Sequence, residues 1–479
     1  MIPELEKLPG LEKKLISTYY NSPYHFQNFV VSAYGYYYRK QNLNTEVFSR
    51  LKELEKTQYY VKSELENYQN KKLRSLIKHA YENVPYYHRI FRSNNLVPDD
   101  IKTKEDLVKL PYLTKDDIRH SFKDLIAKNY NPTKLQLVHT SGTTGSPLEF
   151  HWDKNVMLME NAFIRRHWSW AGFGLKDWRV TLRGNVIVPL AQKKGPFWRY
   201  NYPERQVFFS SFHMNPDTLP EYVKEIYKIS PKAIQGYPST VYTLARYMRE
   251  NDIKIPVSAV FTSSEPIYPV QREVIEDQFQ CNIYDLYGLS ERTAAAGQCS
   301  NGNYHIYSEY GIIELLNNDE FITDSGEFGE IVSTGLNNYG MPLIRYKTGD
   351  GTKFRDELCE CGINLPLMDP VETKLDDMIL TPDGNLLSPS VLTHPFKPMV
   401  NVEKSQIIQE KKDQITIKIV KKRGYSEKDS EILLKELHER VGFEMDIELE
   451  FVEDIPRTKA GKYRWIISRV SRYFDDNEH

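Results

Sequence analysis

Thr140-Ser141-Gly142-Thr143-Thr144-Gly145-Ser146-Pro147 sets hydroxyls and glycines side by side in a segment able to wrap the phosphates of ATP. Gly142 and Gly145 let the backbone take φ > 0 and approach an anion closely, so that successive N–H groups point inward as a nest. Ser141, Thr143 and Thr144 add hydroxyl donors that partly compensate for the absence of a lysine. A Walker loop needs G-x-x-x-x-G-K-[ST] opening into a helix, and Ser146-Pro147 occupy the places of its Lys-Thr, so that reading fails. Leu148, Phe150 and Trp152 alternate with Glu149 and His151, a strand pattern, and Leu135 to His139 reads as a strand too. The loop is therefore expected at a hairpin tip over phosphates. A Ser/Thr/Gly linker without chemistry is the competing reading.

Three further segments carry groups suited to a nucleotide. Tyr287-Gly288-Leu289-Ser290-Glu291 follows a predicted strand, so Tyr287 could stack on adenine and Glu291 could offer a hard oxygen to the Mg²⁺ that accompanies ATP. A strand-end tyrosine followed by a helix-capping Ser-Glu is the plainer alternative. Arg345-Tyr346-Lys347-Thr348-Gly349-Asp350 is expected to place a carboxylate on a turn, where it could accept both hydroxyls of a ribose or simply be solvated. Pro456-Arg457-Thr458-Lys459-Ala460-Gly461-Lys462 reads as a loop ending in a lysine, or as a solvated basic turn.

The elements that must position these groups follow from periodicity. Residues 1–100 read as mostly helical, with apolar positions at helical spacing in Val47 to Lys56 and Leu65 to Glu82, and Val97-Pro98-Asp99-Asp100 reads as a turn. Lys232 to Gln235, Val257 to Phe261 and Asn282 to Leu286 read as strands separated by helices over Ser239 to Asn251 and Val270 to Phe279. That alternation implies parallel pairing with right-handed crossovers, and ligands at the carboxyl ends of the strands. Beyond Asp350, strands at Gln406 to Ile408, Ile415 to Val420 and Ile447 to Phe451 flank a helix whose start signal is Ser426 and Asp429. The expected fold is α/β: a large N-terminal domain with parallel-rich sheets and helices, plus a small C-terminal α+β domain. Its divisions are 1–100, a helical region packed on the main domain; 101–375, the core domain; and 376–479, the small C-terminal domain.

Composition bounds the partners. The chain has 479 residues, about three times a usual domain. A net charge of −2 leaves no basic footprint for nucleic acid. Mean hydropathy is −0.57 and no apolar run suits a membrane span, which excludes insertion. The start Met1-Ile2-Pro3-Glu4 lacks the pattern of a signal peptide, so a cytoplasmic protein is expected. The 33 tyrosines, many near the N-terminus, are expected to bury their rings and keep their hydroxyls wet, with a membrane-surface or glycan-stacking role as the alternative.

Taken in order, the glycine-hydroxyl loop, Tyr-Gly-Leu-Ser-Glu, Tyr-Lys-Thr-Gly-Asp and Pro-Arg-Thr-Lys-Ala-Gly-Lys closely resemble the adenylate-forming superfamily of acyl-CoA synthetases, luciferases and peptide-synthetase adenylation domains. Val84-Pro85-Tyr86-Tyr87, Leu110-Pro111, Leu113-Thr114-Lys115-Asp116 and Ser264-Glu265-Pro266 resemble the phenylacetate-CoA ligase group within it. The tyrosine-rich extension before Val84 is similar to the CapK-like branch associated with surface-polysaccharide loci. The resemblance implies that Thr140, Ser141, Gly142, Thr143, Thr144 and Gly145 hold the β- and γ-phosphates. It further implies that Ser264, Glu265 and Pro266 wall the adenine, that Tyr287 flanks it with Gly288 and Ser290 nearby, and that Asp350 binds ribose. Catalysis is implied for Lys462, Glu291 (also the Mg²⁺ ligand) and Thr143, Lys462 bridging the acyl carboxylate and the α-phosphate. Asp376 matches the hinge of the C-terminal domain, while Lys374 and Thr373 stand where the family usually has arginine and glycine, so Lys374 would meet the nucleotide as a point charge. Tyr237, Pro238 and Ser239 are the nearest candidates for the acyl pocket.

The cysteines acquire a reading beside that resemblance. Cys299 and His305 are spaced C-x5-H, and Cys359-Glu360-Cys361 adds C-x-C, a closed N/S set for structural Zn²⁺ of a kind found in relatives of the phenylacetate ligases. Small buried hydrophobes are the alternative, and Cys281 is expected to be one. The function implied is ATP- and Mg²⁺-dependent activation of a carboxylic acid as acyl-AMP, with transfer most readily to coenzyme A. The alternatives are an amine or hydroxyl acceptor in polysaccharide biosynthesis, or a non-catalytic nucleotide-binding assembly protein; a homodimer is also compatible.

Overall fold

The computed structural model describes residues 17–139, 148–189, 191–317, 320–321, 325–371, 379–382, 386–387, 392, 394–396, 399, 401–456 and 464–470. The helical pattern near the N-terminus forms as α1 (Tyr24–Asn42), α2 (Thr45–Thr57), α3 (Lys62–Asn83) and α4 (Pro85–Ser93). Asn44 Oδ1 accepts from the N–H groups of Glu46 and Val47, satisfying donors that the start of α2 would otherwise leave free. Pro85 opens α4, where its missing N–H is no loss. Leu73, Leu76 and Ile77 of α3 and Phe91 of α4 share one apolar cluster with Leu336, Met341 and Tyr346, so this layer is part of the main body's core.

The tyrosines divide. Tyr19 is buried with its hydroxyl donating to Ile187 O at 2.7 Å, and Tyr20 donates to Val186 O at 3.0 Å, so these hydroxyls are bonded to backbone rather than wet. Tyr36 and Tyr37, on the outer face of α1, are exposed. The helix lies close to the sheet at Gly35, where a Cβ would fall 1.9 Å from Asn201 Oδ1.

The expected hairpin forms on both sides of the glycine-hydroxyl loop. After α5 (Lys115–His120), β1 (Gln136–His139) and β2 (Glu149–Trp152) pair antiparallel, with Gln136 opposite Trp152 and His139 opposite Glu149. Thr140 to Pro147 lie outside the described residues. Asp153 then caps α6 (Lys154–Trp170), accepting from Val156 N at 2.9 Å.

The core alternates strands and helices: β3 (Arg179–Arg183), β4 (Trp198–Asn201), β5 (Gln206–Ser210), α7 (Leu219–Ile229), β6 (Ala233–Gly236), α8 (Pro238–Glu250), β7 (Ala259–Ser263), α9 (Pro269–Phe279) and β8 (Ile283–Gly288), of which β6 through β8 are the elements that periodicity predicted. Strand β7 starts two residues later than expected and keeps Thr262 and Ser263 in the ladder, because Asp285 opposite Thr262 accepts its hydroxyl at 2.5 Å. Then come β9 (Ala295–Gln298), β10 (Tyr304–Ile306), β11 (Gly311–Asn317), β12 (Glu320–Phe321), β13 (Phe328–Gly335), β14 (Tyr346–Arg355) and β15 (Leu367–Met368). One thirteen-stranded sheet results, in the order β12-β11-β13-β14-β15-β10-β9-β8-β7-β6-β3-β5-β4. The run from β8 through β7, β6 and β3 to β5 is parallel.

A smaller C-terminal sheet domain follows. After the short pair β16 (Ile379–Leu380) and β17 (Leu386–Leu387), it contains β18 (Val402–Lys411), β19 (Gln414–Lys421), α10 (Glu427–Val441), β20 (Asp446–Phe451) and β21 (Ile466–Ser468), in the order β20-β19-β18-β21. Ser426 and Asp429 start α10 as a reciprocal cap, and Leu433, Leu437 and Val441 are buried on one face, as the spacing predicts. It meets α8 and α9 through Lys422–Glu250 at 2.8 Å and Tyr268–Trp465 at 5.3 Å between ring centroids. The expected boundary around 375 falls outside the described residues, as do Thr373, Lys374, Asp376 and Lys462.

Layers meet at a buried ion pair. Arg166 of α6 reaches Glu309 at 2.7 Å with neither side chain exposed, and Thr57 at the end of α2 donates its hydroxyl to the same carboxylate oxygen at 2.5 Å. Removing one partner leaves an uncompensated buried charge, so Arg166→Met is expected to cost about 3–5 kcal/mol of stability. Arg166→Met/Glu309→Leu should be less damaging than either single change, as read from urea unfolding midpoints.

Candidate active site

Strand β8 delivers Tyr287 and Gly288 at its carboxyl end, where ligands bind in parallel sheets. Tyr287 Oη donates to Asp350 Oδ2 at 3.0 Å, across 63 residues of sequence. Burial, reinforced by the Asp350 carboxylate, raises the Tyr287 hydroxyl well above its ordinary pKa and keeps it a neutral donor. Asp350 is not on a turn as expected. It lies within β14, next to Gly349 at φ +77 and opposite a register shift in β13, so the glycine aims the carboxylate without ending the strand.

No helix follows Tyr287-Gly288. Leu289 to Arg292 turn directly into β9, so Ser290 and Glu291 cap nothing. Glu291 is 7% exposed and accepts from Tyr346 Oη at 2.7 Å. The turn is tied to the hairpin: Trp152 Nε1 at the end of β2 donates to Ser290 O at 3.0 Å. Leu113 pairs with Tyr346 through Leu113 N to Arg345 O at 2.8 Å and Lys347 N to Leu113 O at 3.0 Å. The structure therefore gathers the hairpin that carries the glycine-hydroxyl loop, the Tyr-Gly-Leu-Ser-Glu turn, the Tyr-Lys-Thr-Gly-Asp strand and the Leu-Thr-Lys-Asp segment around one place.

A cavity of about 200 Å³ opens there, its lining including Ser264, Tyr287, Gly288 and Ser290 together with Glu160, Arg183 and Gln235. Ser264 takes φ +70, a left-handed backbone held against a serine's preference, of the kind that clusters at functional sites. Glu265 turns instead to α8, accepting from Ser239 N at 3.1 Å. Tyr237, Pro238 and Ser239 are not among the residues lining this cavity; Gln235, two positions earlier, is. Periodicity missed Glu160, Arg183 and Arg292, whose charges on a helix, a strand and a turn read as solvent-facing. Arg292 binds Glu160 at 2.5 Å, and Arg183 Nη2 donates to Ser263 Oγ at 2.5 Å. One signal was available for Arg183: it ends the short strand β3 at the ligand-binding edge of the sheet.

His167, also on this wall, is fully enclosed and contacts Gln298 O at 3.0 Å. Burial lowers its pKa from the ordinary 6.5 to about 4. The unfolded chain therefore binds more protons than the folded one between these values, and stability falls as pH drops from about 6.5 toward 4. The full loss is about 3 kcal/mol. Urea midpoints of His167→Gln should fall less steeply than wild type over this interval.

Away from the cavity, Cys299, His305, Cys359 and Cys361 converge with all ligand atoms within 4.8 Å of one another. Cys299 Sγ lies 3.6 Å from Cys359 Sγ, and Cys361 Sγ 3.3 Å from His305 Nε2. His305 Nδ1 faces Leu365 O at 3.2 Å, which fixes the tautomer and leaves Nε2 for a ligand. Burial lowers this imidazole to about 4, so it is neutral as a ligand must be. Cys281 stays apart, packed against the central core, its thiol raised to about 12 by burial.

The fold is that of adenylate-forming ligases. A 2-hydroxyisobutyryl-CoA ligase crystallised in the postadenylation state with R3-HIB-AMP superposes with a TM-score of 0.66 at 19% identity, covering 87% of this chain and 92% of that one. By sequence, the chain is similar to CapK and to phenylacetate-CoA ligases. It is 29% identical over 462 residues to Protein CapK of Staphylococcus aureus, covering 94% of this chain and 99% of that protein. It is 23% identical over 449 residues to a phenylacetate-coenzyme A ligase of Thermus thermophilus, covering 83% and 95%. The CapK C-terminal domain family matches residues 379–469. No helix among the described residues is long and apolar enough to cross a membrane.

Proposed function

We infer that this chain is an ATP-dependent ligase that activates a carboxylic acid as an acyl-adenylate and transfers the acyl group, with coenzyme A as the first acceptor to test. The observation that carries this reading is the meeting of Tyr287 and Asp350 at 3.0 Å beside the cavity edge formed by Ser264. Ribose hydroxyls could take over the bond that Tyr287 makes to Asp350, with adenine between Tyr287 and the segment Ser264-Glu265-Pro266. Tyr346 holds one oxygen of Glu291, and the other suits the Mg²⁺ that accompanies ATP. Thr140 to Gly145, set between β1 and β2, would receive the β- and γ-phosphates.

In the first half-reaction, a carboxylate oxygen of the acid attacks the α-phosphorus. The bond to the bridging oxygen breaks, and pyrophosphate leaves. Lys462 is assigned to the charge that develops there, and rotation about Asp376 to the change of half-reaction. In the second, the acceptor thiol attacks the acyl carbon and AMP departs with the bonding pair. An amine or hydroxyl acceptor would give an amide or ester by the same step.

Asp350→Ala and Glu291→Gln are each expected to lower acid-dependent ATP–pyrophosphate exchange on the order of 100-fold. Exchange independent of any acid and unchanged in Lys462→Ala would overturn the ligase reading. Thioester formation keeping pace with adenylation identifies coenzyme A; adenylate discharged only by an amine or sugar identifies the alternative.

The four-residue cluster fits structural zinc. Bonds of about 2.3 Å to a tetrahedral ion set two sulfurs about 3.8 Å apart, close to the separation of Cys299 and Cys359. Metal analysis after purification without chelators should find about one zinc per chain, and Cys359→Ser should lose it.

A further inference from the structure

A second cavity, of about 300 Å³, adjoins the first, and Ile164, Trp168, Arg183 and Gln235 line both. Its floor is a sheet face that ought to be apolar. Instead, β3 turns Arg179, Thr181 and Arg183 toward it at alternate positions, with Gln206 of β5 opposite Arg179 and Gln235 of β6 opposite Thr181. These polar groups are linked: Gln206 Nε2 donates to Thr181 Oγ1 at 2.8 Å, and Thr181 Oγ1 to Gln235 Oε1 at 3.2 Å. Arg165 enters from α6 on the opposite wall, and Tyr34 and Tyr38, one helical turn apart, close the space from α1.

The charges do not balance. Among the described residues three guanidinium groups line the cavity, and Glu204 is the only lining carboxylate, 3.6 Å from Arg165 and 3.8 Å from Arg179. The side chains of Arg165 and Arg179 are only 12% and 9% exposed, yet Nε of Arg165, Arg179 and Arg183 has no hydrogen-bond partner among the described residues. The Trp168 ring, 5.8 Å from Arg165 and 5.0 Å from Arg179, offers its face but no acceptor. Burial accordingly lowers all three guanidinium groups, Arg179 to about 10. Guanidinium forks with donors to spare are built for the paired oxygens of a carboxylate or phosphate.

We propose that the acid activated in the first cavity carries a second anionic group, which reaches past Arg183 and Gln235 and is held by Arg165, Arg179 and Arg183 beneath Tyr34 and Tyr38. This rests on the acid-activation reading above and adds the substrate class. It also gives the tyrosine-rich helix a task, as the wall that completes the acid's site.

The test compares glutarate and 3-phosphoglycerate with monomethyl glutarate and phenylacetate in ATP–pyrophosphate exchange by the full-length chain. An anion-bearing acid should exceed its neutral counterparts in kcat/KM on the order of 100-fold, since a neutral end leaves buried donors unpaired. Glutarate leading indicates a second carboxylate, and 3-phosphoglycerate leading a phosphoryl group. Arg165→Gln should reduce this preference about tenfold through KM, and Arg165→Lys should keep part of it, with melting temperature confirming that both fold. Calorimetric titration of malonate and of inorganic phosphate, with AMP saturating, gives a readout independent of turnover; binding should be present in wild type and lost in Arg165→Gln. Neutral acids equal to or better than charged ones, or a preference untouched in Arg165→Gln, would overturn the proposal alone. Failure of every acid together with loss of AMP binding would instead remove the activation reading beneath it. Failure of every acid with AMP bound, and neither anion titrating, would also overturn the proposal.

Discussion

Arg166 and Glu309 meet at 2.7 Å inside the protein, and neither can shift without exposing a charge to a medium that does not solvate it. Arg166 also packs 4.4 Å over the ring of Tyr307, and the carboxylate takes the hydroxyl of Thr57 at the end of α2. The pair thereby joins the N-terminal helical layer, α6 and the segment before β11. Helix α6 is the element that matters most to the site, because Glu160, Arg165, His167 and Trp168 all project from it into the two cavities. Once Arg166 is pinned, the rotation of the helix is set and these neighbours follow.

Alternation of strands and helices was legible because apolar residues recur at spacings that only one backbone geometry satisfies. The hairpin flanking the glycine-hydroxyl loop and the parallel run from β6 to β8 were readable for that reason, and the cap of α10 was readable from the residue types of Ser426 and Asp429. The convergence of Cys299, His305, Cys359 and Cys361 was readable because sulfur and imidazole donors are few in the chain. The interior charges were not. A charge at a helical or strand position reads as solvent-facing, and only the tertiary arrangement shows that Arg179 and Arg183 of β3 line a cavity. Asp350 was placed on a turn because Thr-Gly-Asp is turn chemistry; the sheet absorbed it as an irregularity. Tyr237, at the start of α8, stands beside the cavity with its ring 5.9 Å from the guanidinium of Arg183, while Gln235 of β6 lines it.

The tyrosines show why composition alone underdetermines a role. Tyr19 and Tyr20 spend their hydroxyls on backbone carbonyls, Tyr287 on a carboxylate at the candidate site, and Tyr34 and Tyr38 stand over a cavity. Tyr36 and Tyr37 face outward. One residue type serves as fastener, donor and wall because its ring and its hydroxyl can be placed in different surroundings.

Cys299 and Cys359 are separated by 60 residues, and between them the chain lays down the pairing of β11, β13 and β14. A metal held by both would act as a cross-link around that loop, shrinking the unfolded ensemble much as a disulfide does, but reversibly and without an oxidant. During synthesis the fourth ligand emerges only with Cys361. Full coordination must therefore come late, as a latch on strands already made rather than as the seed from which they grow.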